Sequence, residues 1–194
     1  MFNRTIIFGN SGAGKSTLAQ QLANRQWPER LATAFAASDI DNTDVKSSSA
    51  KILAEQHIQR AHLDLDTIAW LVDEQTLQPI RKPIAQASEE IAEFIKQNDH
   101  WVIEGCYADL LAIAARYADS AVYLNLTIEQ CVDNAKQRPW EPHKYPSKEA
   151  QDANLAMLIN WIRDYQTRED SFSLNAHQTL FQSFNGHKVM LQNN

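Results

Sequence analysis

The sequence predicts an α/β domain whose parallel sheet is covered by helices on both faces, and two observations carry that expectation. An apolar run, Thr5-Ile6-Ile7-Phe8, leads directly into Gly9-Asn10-Ser11-Gly12-Ala13-Gly14-Lys15-Ser16-Thr17 and then into the helical stretch Leu18-Ala19-Gln20-Gln21-Leu22-Ala23. Downstream, short apolar runs alternate with segments of helical period. Ligands of such sheets gather at the carboxyl ends of the strands.

The Gly9–Thr17 segment fits the pattern G-x-x-x-x-G-K-[ST]. Its glycines let the chain bend until successive backbone N–H groups converge on phosphate oxygens, a path that side chains would obstruct. Lys15 is long enough to reach the β- and γ-phosphates, and Ser16 offers a hydroxyl to magnesium. The helix that follows directs its positive dipole end at the same anion. A nucleoside triphosphate is therefore the expected ligand, bound by residues 9 to 17.

Five apolar runs read as buried strands: Thr5 to Phe8, Ala61 to Leu65, Trp101 to Ile103, Ala121 to Leu124 and Lys188 to Leu191. Between them, Ile84, Ala87, Ile91, Phe94 and Ile95 recur at the spacing of one helix face, as do Leu155, Leu158, Ile159, Ile162 and Tyr165. A further helix is expected near Ile128 to Gln137. The stretch from about 27 to 59 departs from this economy. It carries Ser38-Asp39-Ile40-Asp41-Asn42-Thr43-Asp44 and Ser47-Ser48-Ser49, which suit a solvated loop, and a short helix from Lys51 to Arg60. The helix after the phosphate loop must end at the sheet edge opposite the phosphates, so this insertion is expected on the side remote from the site. There it would serve stability, dimerisation or a partner. The whole of 1–194 reads as one domain.

Composition narrows the class. A chain of 194 residues with 44% hydrophobic and 22% charged residues suits a soluble globular protein. No apolar run reaches membrane-spanning length. The chain enters a strand and the phosphate loop at once, so the expected location is the cytoplasm. A net charge of −6 disfavours broad nucleic-acid attraction. Cys106 and Cys131 stand apart from any metal-like spacing and are expected to be reduced.

Acidic residues at strand ends supply the chemistry. In Asp64-Leu65-Asp66, strand alternation would send both carboxylates to one face, where one could help hold magnesium and the other could accept a proton from an attacking hydroxyl. Alternatively, one of them caps the turn near Thr67. Trp101-Val102-Ile103-Glu104-Gly105 runs hydrophobic residues into an acid, so Glu104 is expected to reach a magnesium-bound water. Gly105 suggests a close backbone approach by substrate or chain. The segment from Arg138 to about 147, rich in proline and aromatic residues, reads as a lid, with Arg138 and Lys144 as its charge and Trp140 or Tyr145 as its cover. Arg81, Arg116, Arg163 and Arg168 are further phosphate or substrate candidates, and each could equally be an ion-pair partner. His57, His100, His143, His177 and His187 are expected to be structural or solvated, while His62 could approach the site.

With these motifs in order, the chain resembles the nucleoside monophosphate, shikimate and gluconate kinase branch of P-loop proteins. More narrowly, it is similar to bacterial adenylate-kinase-like proteins, some labelled topology modulation proteins. The resemblance implies a three-layer fold with a five-stranded parallel sheet in the order 2-3-1-4-5. It implies ATP and magnesium at Lys15 and Ser16, a D-x-D pair at Asp64 and Asp66, and a lid arginine at Arg138. Where adenylate kinases carry D-G-x-P-R, this chain has Glu104-Gly105-Cys106-Tyr107-Ala108, without the proline and arginine. The acceptor of such kinases therefore does not transfer.

The expected activity is magnesium-dependent transfer of the ATP γ-phosphate to a small-molecule hydroxyl or phosphate. Lys15, Asp66 and Arg138 would be catalytic. Ser16, Asp64 and Glu104 would serve the metal, and Asp66, Arg81 and Gly105 the acceptor. The alternative is a nucleotide-dependent regulatory protein without an acceptor.

Overall fold

A computed structural model describes residues 2–38, 58–76, 78–142 and 145–193. Five strands form one parallel sheet: β1 (Arg4–Gly9), β2 (Ala61–Asp64), β5 (Trp101–Gly105), β6 (Ser120–Leu124) and β7 (His187–Leu191). Their spatial order is β2-β5-β1-β6-β7, which is 2-3-1-4-5 when only the five expected strands are counted. Two short strands, β3 (Trp70–Val72) and β4 (Pro79–Arg81), pair as a separate antiparallel hairpin that the sequence pattern does not reveal.

Alternation along β1 explains the three layers. Ile7 turns to one face and joins Val102, Val122 and Val189 beneath α1 (Lys15–Ala23), α2 (Glu29–Ser38), α5 (Ile128–Gln137) and α7 (Leu155–Arg163). Ile6 and Phe8 turn to the other, joining Trp101, Ile103 and Tyr123 beneath α3 (Ile84–Gln97), α4 (Ala108–Ala115) and α8 (Leu174–Ser183). Strands covered on both sides must be apolar throughout, and all but Arg4 of β1 are buried. A short helix, α6 (Lys148–Ala153), precedes α7. Among the described residues no helix is long and apolar enough to cross a membrane.

The 27–59 stretch opens differently from the expected solvated loop. Residues 29–38 form α2, because Leu31 and Phe35, one turn apart, are both buried. The Phe35 ring lies 4.3 Å from that of Phe2, between centroids. The Asp39–Asp44 and Ser47–Ser49 segments lie outside the described residues, as does the expected helix as far as residue 57.

Candidate functional site

One cleft of about 680 Å³ runs along the carboxyl edge of the sheet, and the phosphate loop forms its floor. Gly12 has φ +77°, and a Cβ there would stand 2.2 Å from the carbonyl oxygen of Cys131, so only glycine allows the loop to press against α5. Gly14, at φ 86°, precedes the first turn of α1. Lys15 Nζ donates to Asn10 O at 3.0 Å. The Asn10 side chain braces the loop twice, accepting from Ser11 N at 2.8 Å and donating to Ile162 O at 3.0 Å. From α5, Asn134 Nδ2 donates to Gly12 O at 2.8 Å. Helix α5 is itself fixed by a reciprocal cap between Thr127 and Gln130.

Of the expected site residues, Ser11, Gly12, Gly14, Lys15, Ser16 and Thr17 line the cleft together with Asp66, Glu104, Gly105 and Arg138. Gly9 ends β1, and Asn10 and Ala13 are buried beneath the loop. Glu104, the penultimate residue of β5, is only 1% exposed. Its Oε1 has no hydrogen-bond partner among the described residues, and His62 Nε2 stands 3.8 Å away. A buried carboxylate oxygen left in this state suits a metal-bound water, because an unsatisfied anion is costly to keep.

Asp64 and Asp66 do not share a strand face. Strand β2 stops at Asp64, and residues 65–67 turn as a 3-10 helix whose N-cap is the Asp64 carboxylate, accepting from Asp66 N at 2.9 Å. The turn breaks the two-residue alternation, so Asp66 reaches the cleft while Asp64 takes the capping role. Gly105 gives close approach to the chain itself, since a Cβ there would meet Leu65 Cβ at 3.0 Å.

Arg81 is absent from the cleft wall. It pairs with Asp109 at 3.0 Å and lies over the rings of Tyr107, Phe172 and Trp70 at 4.8, 5.4 and 5.5 Å. Arg168 likewise pairs with Asp170 at 2.8 Å and stacks 3.5 Å from the Trp161 centroid. Arg116 and Arg163 also lie outside the lining. The 138–147 loop is cross-braced: Arg138 pairs with Glu141 at 3.0 Å, Trp140 Nε1 donates to Tyr145 O at 3.1 Å, and buried Gln151 bonds Pro139 O and Glu141 N. His143 and Lys144 lie outside the described residues.

Three neighbours are invisible to motif reading. Tyr107 donates to Asp66 Oδ1, and burial together with that carboxylate drives its phenol well above the usual range. Burial pushes the Cys106 thiol up to about 12, so it stays protonated and is no nucleophile beside Lys15. Arg30, on α2, also lines the cleft, against the expectation that the 27–59 stretch lies wholly remote from it.

The alternating layers, the phosphate loop and the acidic strand ends agree with a family model described as an AAA domain, which matches residues 6–154. The chain belongs to this family. The match agrees with the resemblance read from the motifs, and the AAA domain of this chain falls within the P-loop kinase superfamily. No curated protein matches it. Two solved structures are similar in arrangement, both of deoxyadenosine kinase from M. mycoides. The one with bound dATP has 11% identity and a TM-score of 0.37, covering 97% of this chain and 90% of that one. The one with bound dCTP has 11% identity and a TM-score of 0.36, covering 97% and 89%.

Proposed function

We propose that this AAA-domain protein is an ATP-dependent, magnesium-requiring kinase of a small-molecule hydroxyl or phosphate. The observation that carries the reading is the meeting, in one cleft, of Lys15 and Ser16 with two acids from separate strand ends, Asp66 and Glu104, and with Arg138 from the loop above. Ser16 and Glu104 would hold magnesium, with Glu104 acting through a bound water. The metal supplies charge neutralisation on the phosphates when present.

The chain's own residues have separate tasks. Backbone N–H groups of the phosphate loop and Lys15 hold the β- and γ-phosphates. Asp66 orients the acceptor and takes its proton as the acceptor oxygen bonds to the γ-phosphorus. The bond from that phosphorus to the bridging oxygen breaks, and ADP leaves with the electron pair. Arg138 offsets the charge that develops, and Trp140 and Tyr145 help exclude water that would compete as acceptor.

The deciding experiment incubates the purified protein with ATP, magnesium and panels of nucleosides, monophosphates, sugars and hydroxy acids, and measures ADP release. Acceptor-dependent release that Lys15→Ala abolishes supports the kinase. Binding with only slow, acceptor-independent hydrolysis overturns it in favour of a nucleotide-dependent regulator. One feature favours that second reading: the phosphate loop is tied by Asn134 to α5, which leads into the 138–147 loop, and by Asn10 to α7, which follows that loop after α6.

A further inference from the structure

The sheet order sets a direction along the cleft. Asp66 follows β2, one edge strand, and Arg30 donates from Nη1 at 3.0 Å to the carbonyl of Asn193, two residues past the end of β7, the other edge strand. Four steps between strands at about 4.8 Å each place these ends of the cleft about 19 Å apart. The phosphate loop follows β1, at the centre of the sheet. Asp66 and Glu104, beyond β2 and β5, stand to one side of it. Arg30 stands to the other, on the helix that packs against β7, and it lines the same cleft.

A triphosphate on this loop can transfer its terminal phosphate only if that phosphate faces Asp66. Its nucleoside half must then extend toward β7. We propose that Arg30, supplied by the inserted helix α2, binds the nucleoside half of the triphosphate through its guanidinium. Among the described residues no carboxylate pairs with it, and its one hydrogen bond to a backbone oxygen fixes the side chain while leaving further N–H donors in the fork. Oxygen and nitrogen acceptors of a sugar or base edge are the complementary groups. The assignment rests on the nucleotide-binding reading above and gives α2 a role in the site.

The test separates the two halves of the ligand by calorimetry, using ATP and inorganic tripolyphosphate as probes, the latter lacking a nucleoside. Arg30→Ala is expected to raise the Kd for ATP about tenfold or more while leaving that for tripolyphosphate unchanged. Lys15→Ala is expected to weaken both. Arg30→Gln keeps an amide donor for Asn193 O and is expected to show the same selective loss, with thermal melting as the check on folding. Unchanged ATP affinity in both Arg30 variants, or equal loss of both probes, overturns the role of Arg30 alone. Failure of the wild-type protein to bind ATP overturns the nucleotide reading itself.

Discussion

The Tyr107 hydroxyl donates to Asp66 Oδ1 at 2.5 Å and accepts from Trp70 Nε1 at 2.7 Å, so a group outside the cleft wall orients a carboxylate inside it. Burial and the adjacent carboxylate keep the phenol protonated, and the contact therefore persists across the working pH range. Tyr107→Phe keeps the ring that packs on Phe172 but removes the donor. Its kcat is expected to fall about tenfold to a hundredfold, as for loss of a hydrogen bond to a charged group, with KM for ATP unchanged. Steady-state kinetics with the identified acceptor provide the check, and an unaltered kcat would remove Tyr107 from the machinery.

Asp64 and Asp66 make a contrasting pair. Asp64 holds a turn through Asp66 N, so Asp64→Ala is expected to cost about 1 kcal/mol of stability, the usual value of an N-cap. Asp66→Asn removes the proton acceptor and is expected to lower turnover about a hundredfold or more with a smaller change in melting temperature. Urea unfolding and kinetics on both variants measure the split. Equal kinetic loss in the two would mean that the carboxylates act together after all.

Burial on both faces makes the strands legible in sequence: Ile6, Ile7 and Phe8 form an uninterrupted apolar run, and no exposed position breaks it. Helix α3 is legible through its periodicity, and the phosphate loop through its fixed glycines and lysine. The β3–β4 hairpin is not, because Trp70, Leu71 and Val72 are exposed and each strand is only three residues long. Asp64 and Asp66 show where pattern reading fails locally. Their spacing suits one strand face, but a side-chain cap ends the strand between them. Arg30 and Tyr107 enter the site through tertiary placement, for which two-residue or helical periodicity gives no signal.

Asn134 is expected to act on nucleotide affinity through the phosphate loop. Its amide holds the Gly12 carbonyl at 2.8 Å and so fixes one wall of the phosphate loop. Asn134→Ala leaves that carbonyl without this donor, and about 1 kcal/mol of lost loop order would weaken ATP binding about fivefold. Calorimetric titration with ATP tests it, and an unchanged Kd would show that the loop holds its shape without α5.

His177 predicts an acid limit to stability. The ring is fully buried, accepts at Nδ1 from the Tyr165 hydroxyl at 2.7 Å, and donates from Nε2 to Cys106 O at 2.9 Å, so it is held neutral. Burial, the largest cause, lowers its pKa from 6.5 to about 4, although the bond to Cys106 opposes the shift. Above pH 6.5 neither the folded nor the unfolded chain protonates this ring, and its contribution to stability is complete. Between pH 6.5 and 4 the unfolded chain takes up a proton that the folded chain refuses, so stability falls as pH falls, by about 3 kcal/mol from this group. Urea unfolding of the wild type and His177→Gln at intervals from pH 8 to 4 isolates the effect. The variant is expected to be less stable at pH 8, where it loses a fitted hydrogen-bonding ring, but to show a shallower decline below pH 6.5. Parallel curves for the two proteins would mean that other groups set the acid limit.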